Sequence, residues 1–296
     1  MKTSEIFKTK TVFSLEIFPP KRTTSIEVIY RTLDELQGIN PDFISVTYGA
    51  GGSEANSTTL EIASSIKNNY GIESVAHLPC IYLDKPGVHK ILRGLQSAGV
   101  ENILALRGDV NPDLEPKKDF RYASDLVSFI RENGSFNLIG ACYPEGHNEA
   151  PSLADDLRNL KIKVDAGVDH LITQLFFDNS YFYSFRERAR AIGIDVPIEA
   201  GIMPVLNKKQ IERMVSLCGV NLPRKFITMM EKYENNPAAM LDAGIAYAVD
   251  QIVDLLAHDV DGIHLYTMNN PYIAQKIYAA TSVLFGTAQR SYDNTA

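Results

Sequence analysis

The chain has 296 residues, of which 45% are hydrophobic and 22% charged, enough to bury one large core or two ordinary ones. Its 29 Lys and Arg against 36 Asp and Glu leave a net charge of −7 with no basic stripe, so nucleic acid is not an expected partner. Cys80, Cys142 and Cys218 form neither a disulfide framework nor a zinc site, and no apolar run suits a signal segment or a membrane span, so the cytoplasm is the expected compartment, with no membrane and no metal.

Along the chain, short runs rich in β-branched and aromatic residues alternate with longer segments of helical period. A strand is expected over Val12–Phe18, then a helix over Ser25–Leu36. The next pairs are Phe43–Thr47 with Ala55–Asn68, Glu73–Leu78 with Pro86–Ser97, and Asn102–Leu106 with Tyr122–Glu132. They continue as Asn137–Cys142 with Ser152–Ala166, His170–Thr173 with Tyr181–Ala191, and Pro197–Gly201 with Lys208–Val215. A helix over Met240–Ala257, a strand over Gly262–Leu265 and a helix over Pro271–Phe285 complete the series. Asn207 stands where it can cap the helix at Lys208. Gly99, Gly167 and Gly193 each follow a helical run, where a left-handed residue is wanted.

Eight βα units in this length predict an α/β fold, a single-domain (β/α)8 TIM barrel spanning 1–296, with an open doubly wound sheet as the runner-up. A Rossmann nucleotide turn is disfavoured. The first strand ends in Glu16-Ile17-Phe18-Pro19-Pro20, and the cluster Gly49-Ala50-Gly51-Gly52 has Glu54 where the last glycine of GxGxxG belongs.

In such a barrel chemistry belongs at the C-terminal strand ends. There the sequence places Glu16, Thr47, His77, Arg107-Gly108-Asp109, Tyr143 to His147, Gln174 and Tyr266 to Asn269. A ring of polar groups at one end of the strands points to a small-molecule pocket. Glu16 lies among apolar residues; burial there disfavours the ionised form and suits a proton donor at neutral pH. The alternative is a Glu paired with a buried Arg or Lys. For Asp109 the alternative is an ion pair with Arg107. His77 reads as a hydrogen-bonding group more than a ligand, since no further ligands keep zinc spacing. The polar loop 110–119 reads equally as a lid or as a solvated connection.

The strand-end motifs resemble the methylenetetrahydrofolate reductase family. The pieces, in order, are FSLEIFPPK (13–21), SVTYGAGGS (45–53), HLPC (77–80), LALRGD (104–109), YASDLV (122–127), YPEGH (143–147), DAGVDHLITQLFFD (165–178), GIMPV (201–205) and LYTMNN (265–270). The resemblance implies non-covalent FAD in a TIM barrel and ping-pong transfer of hydride from NAD(P)H, through the flavin, to 5,10-methylenetetrahydrofolate. It implies that Glu16 is the acid that protonates the folate and opens its methylene bridge, and that Asp109 stabilises the developing cation. FAD positions carried over are Thr47, His77, Arg107, Gly108, Asp109, Ala123, Tyr143, His147, Ala150, Asp156, Asn159 and Lys163. Folate positions are Glu16, Asp109, Gln174, Gln210, Met214 and Asn270.

Three positions depart from the family pattern: Ile162 replaces a basic residue, Met214 an aromatic and Asn270 an Arg. The resemblance also implies a homo-oligomer, and the chain is expected to lack the S-adenosylmethionine-binding regulatory domain of eukaryotic relatives. Two other readings stay open at this point. One is a flavin-free, methyltransferase-type barrel that binds a pterin. The other is a subunit that binds flavin or folate within a larger complex, or that takes electrons from a partner protein.

Overall fold

The computed structural model describes residues 1–21, 23–48 and 53–287, so the Gly49–Gly52 cluster lies outside the described residues. Eight strands pair in parallel in chain order and close into a barrel: β1 (Val12–Ile17), β2 (Phe43–Val46), β3 (Glu73–Pro79), β4 (Asn102–Leu106), β5 (Asn137–Cys142), β6 (His170–Thr173), β7 (Ile198–Ile202) and β8 (Gly262–Tyr266). Closure is carried by β1 against β8, with Ser14 opposite His264 and Glu16 opposite Tyr266. The open sheet is therefore excluded.

Each strand is followed by helix: α1 (Glu27–Leu36), α2 (Ser53–Asn68), α3 (Lys85–Ser97), α4 (Ala123–Asn133), α5 (Leu153–Asp165), α6 (Asn179–Ala191), α7 (Lys208–Cys218), α8 (Arg224–Tyr233), α9 (Pro237–Ala257) and α10 (Pro271–Thr287). Three boundaries differ for a local reason. The β7 ladder starts after Pro197, which has no N–H to give, although its carbonyl still accepts from Leu171. Helix α6, capped by Asp178, starts two residues ahead of the expected start, and α9, capped by Asn236, three ahead. Helix α8 was not expected. Two prolines and Asn235-Asn236 make that stretch read as a connection, while Phe226 and Met230, both buried, carry its helical spacing of four.

Strand alternation sorts the core into two layers. Phe13, Leu15 and Ile17 of β1 face outward into the layer shared with the helices. Val12, Phe43, Val75, Leu104, Ile139 and Ile172 fill the barrel interior. A short 3-10 helix, Thr3–Lys8, closes the N-terminal end, with Phe7 packed 4.8 Å from the His170 ring. The Thr3 N–H donates to Asn102 and its hydroxyl accepts from Asn137, so the plug also satisfies polar groups of the bottom rim. Gly99, Gly167 and Gly193 adopt positive φ, as the turns require. Among the described residues no helix is long and apolar enough to cross a membrane, and no group of three His, Cys, Asp or Glu side chains is placed to hold a metal ion.

Candidate active site

Two groups of side chains meet at the C-terminal end of the barrel. The first centres on Glu16. The register of β1 puts it on the inward face, and it is 6% exposed. No Arg or Lys pairs with it among the described residues. Its Oε2 lies 3.5 Å from His77 Nε2 and 3.6 Å from His264 Nε2. Burial, with His264 adding to it and Glu16 opposing, pulls the His77 pKa down to about 4, so this ring is neutral near pH 7. His77 Nε2 has no hydrogen-bond partner among the described residues. That buried polar atom is therefore available to a ligand.

Tyr266 borders the same space. Its hydroxyl donates to the Thr173 carbonyl at 2.7 Å, and burial raises its pKa well above the ordinary phenol value. Asn269 pins the chain that leaves β1: its Nδ2 donates to the Phe18 carbonyl and its Oδ1 accepts from the Phe18 N–H, both at 2.8 Å. That clamp, together with left-handed Met268 and Asn269, fixes the β8 loop beside Glu16.

The second group is a cleft of about 470 Å³ between the ends of β4 and β5 and the helices α4 and α5. Arg107, Ala123, Tyr143, His147, Ala150, Asp156, Asn159 and Lys163 line it together, as does Ile162. Asp156, Asn159 and Lys163 share one face of α5 because they are spaced by three and four. Lys163 turns back under the cleft and donates to the Ala141 carbonyl at 2.5 Å; burial lowers its ammonium pKa. Burial raises the Asp156 carboxyl, with His147 and Lys163 opposing. Tyr143 and His147 meet edge to face at 4.6 Å. The first turn of α4, whose N–H groups have no carbonyl partner inside the helix, opens on the same cleft beside Arg107.

Asp109 is exposed and makes no ion pair among the described residues. Arg107 turns instead to Glu149, with a bidentate pair at 2.5 and 2.7 Å, so the expected alternative of an Arg107–Asp109 pair is corrected. Gly108 has φ 89°, and a β-carbon there would lie 2.9 Å from Pro79 Cβ. Thr47 stands at the end of β2, and Gln174 at the end of β6 with its Oε1 on the Leu175 N–H.

Gln210 and Met214 lie one turn apart on α7, over the cluster of Leu175, Phe177 and Met203 at the mouth of β6 and β7. Asn207 caps that helix through the Gln210 N–H, as expected. Gln210 Oε1 accepts from the Leu206 N–H, while its Nε2 is buried without a partner among the described residues. Asn270 precedes α10, half-buried, with its N–H on the Thr267 carbonyl. The loop 110–119 is exposed and tied to the β3–α3 connection through Asn111 to Tyr82, Lys117 to Ile81 and Asp119 to Lys85. Ser14, His264 and Glu149 were not singled out from the sequence. The period of two from Glu16 marks Ser14, and the same period along β8 marks His264 and Tyr266.

Known proteins resemble this chain along most of its length. The sequence model described as methylenetetrahydrofolate reductase matches residues 2–282. The 5,10-methylenetetrahydrofolate reductase of Pectobacterium carotovorum is 39% identical over 264 residues, 89% of this chain and 88% of that one. The Escherichia coli enzyme of the same name is 37% identical over the same shares. Methylenetetrahydrofolate reductase (NADH) 1 of Arabidopsis thaliana is 38% identical, over 88% of this chain but 46% of the plant protein. A solved Clostridium thermocellum protein, described as binding two copies of 5-methyl-5,6,7,8-tetrahydrofolic acid, superimposes with a TM-score of 0.62 at 14% identity, covering 96% of this chain and 99% of that one. At that identity it speaks for the fold alone.

Proposed function

The chain belongs to the methylenetetrahydrofolate reductase family and reduces methylenetetrahydrofolate to methyltetrahydrofolate, and we propose that it does so as an FAD enzyme with Glu16 as the proton donor. The observation that carries the reading of Glu16 is its setting: a buried carboxyl, faced by imidazoles and unpaired with Arg or Lys among the described residues, at the mouth of the barrel.

The residues present fit a flavin nucleotide. The cleft offers Arg107 and the first turn of α4 to a diphosphate and the α5 face to ribose and adenine, while His77 Nε2 of the Glu16 group, without a partner among the described residues, is offered to the ring end. When bound there, FAD supplies a hydride carrier between NAD(P)H and the folate, which can then take turns on one face in ping-pong order. Glu149 must leave Arg107 for a diphosphate to take its place.

The folate substrate is opened by proton delivery to its bridging nitrogen. Glu16 stands where it can deliver that proton, shielded from water by its burial. Opening leaves a cationic iminium, and the carboxylate of Asp109 stabilises that charge. Gln210, whose Nε2 has no partner among the described residues, and Gln174 orient the pterin, and Met214 packs on its face.

Glu16→Gln separates these roles. Stopped-flow measurement is expected to show flavin reduction by NAD(P)H nearly unchanged and folate reduction lowered by roughly 100-fold or more. Equal loss in both half-reactions would mean that Glu16 holds the site together and is not the acid.

A further inference from the structure

Below Glu16, inside the barrel, lies a column of polar side chains that this reaction does not use. Ser14 stands two residues before Glu16 and shares its inward face. Its Oγ is 2.8 Å from Glu199 Oε1 and 2.6 Å from His264 Nδ1. On the far side of the ring, His264 Nε2 lies 3.4 Å from Ser45 Oγ and 3.6 Å from Glu16 Oε2. Glu199, Ser14 and His264 are all fully buried. In its neutral form the imidazole has a single N–H to place.

A hydroxyl has one proton to give, so the direction of donation at the bottom of this column fixes it at the top. Where Glu199 gives its proton to Ser14, Ser14 gives its own to His264 Nδ1. The N–H of the ring then sits on Nε2 and faces Glu16. Where Glu199 is ionised, Ser14 donates downward, Nδ1 carries the ring proton and a lone pair faces Glu16.

The surroundings decide between the two. Around Glu199 stand Ser14 on β1, His170 on β6, and the carboxylates of Asp42 and Asp261 ahead of β2 and β8. No Arg or Lys pairs with it among the described residues. Burial holds His170 neutral, its pKa near 3, and its Nε2 is 3.9 Å from Glu199 Oε2, too far to bond. Burial first, then Asp42 and Asp261, raise the Glu199 carboxyl well above the ordinary range, and the hydroxyl of Ser14 only partly offsets them. Glu199 Oε2 has no partner among the described residues, so the contact with Ser14 is where its proton has an acceptor.

We propose that Glu199 is a positioning residue for proton delivery: as a buried carboxylic acid it donates through Ser14 and fixes His264 with its N–H on Nε2, facing Glu16. A donor at that place stabilises the negative charge left on Glu16 Oε2 once its proton has gone to the folate. The other groups facing Glu16 are His77 from β3, held neutral, and Tyr266 from β8, whose hydroxyl is committed to Thr173. The kinetic part of the proposal rests on the reading of Glu16 as the acid; the tautomer does not.

Histidine-selective 15N labelling with two-bond 1H–15N correlation reads which ring nitrogen carries the proton. In the parent enzyme His264 is expected to carry its ring proton on Nε2. Glu199→Leu removes the donor below Ser14, and the ring is expected to split between both tautomers. Glu199→Gln, which keeps an N–H to offer, is expected to retain the Nε2–H form. Ser14→Ala cuts the column at its middle and is expected to give the same mixture, which covers the case that the Leu variant does not fold. A parent ring protonated on Nδ1, or a ring unchanged in Ser14→Ala and in any folded Glu199→Leu, would overturn the proposal.

In the folate half-reaction, whichever of these two variants folds is expected to move the pH profile upward by on the order of one unit, with the NAD(P)H half-reaction unmoved. A changed tautomer with an unshifted profile contradicts the link to proton delivery. Glu16→Gln, measured alongside, isolates the other reading: if it leaves folate reduction intact, Glu16 is not the acid, and the tautomer result still decides the role of Glu199.

Discussion

Gly108 shows how little room a single position leaves. At φ 89°, with Pro79 Cβ 2.9 Å from where a methyl would sit, Gly108→Ala strains the backbone and pushes the β3 and β4 ends apart. FAD affinity, measured by fluorescence titration of the apoenzyme, is expected to fall at least tenfold while the circular dichroism of the fold persists; unchanged affinity would place the flavin elsewhere. Glu16 was legible in the sequence because a carboxylate inside an apolar strand is a mismatch that calls for a reason. The cleft residues owed their selection to the motif resemblance, and α5 spacing gathered only three of them. Spacing within one element says nothing about which strand lies across the barrel. For that reason Glu149 as the partner of Arg107, and the Glu199–Ser14–His264 column, became visible only with the fold.

The elements were read more completely than the contacts between them. Every strand of the barrel was expected within a residue or so of its observed ends, since alternation and the helix–Gly–strand turns mark them. Helix α8 was missed because flanking prolines and a single buried pair gave it too short a pattern. It belongs with α7, and Glu145 ties the β5 loop to their connection by accepting from the Asn221 N–H at 2.9 Å. Since Asn207 caps α7, which carries Gln210 and Met214, Asn207→Ala is expected to lower stability by about 1 kcal/mol. Steady-state assays should then show a raised KM for the folate with FAD binding unaffected. A raised FAD dissociation constant would contradict this division between α7 and the cleft. At the opposite end, Phe7 is 1% exposed in the 3-10 plug. Phe7→Ala is expected to cost about 3 kcal/mol in urea unfolding while the rates of both half-reactions stay near those of the parent. Equal stability would mean that the plug does not close the barrel.

At the scale of the whole molecule, the buried titratable groups His77, His170 and Glu199 give stability a pH dependence. His77 and His170 have folded-state pKa values near 4 and 3, below the ordinary value of 6.5, so the unfolded chain binds more protons between those limits. Stability therefore falls as pH drops below about 6.5, by up to about 1.4 kcal/mol per pH unit for each ring. Glu199 acts in the opposite sense: with its pKa raised, the folded state binds the extra proton, and its contribution is lost as pH rises. His170→Leu is expected to flatten the acid side of the Tm-against-pH curve; an unaltered slope would show that His170 is not held neutral. All of this serves one mouth, where the Glu16 group and the cleft between β4 and β5 share the C-terminal rim. The most direct test of that joint site is an anaerobic absorbance titration of the purified protein loaded with FAD. Addition of NADH or NADPH is expected to bleach the flavin band, and 5,10-methylenetetrahydrofolate is expected to restore it in one-to-one proportion. Failure of the protein to take up FAD, or a bleached flavin that the folate leaves unchanged, would contradict the account.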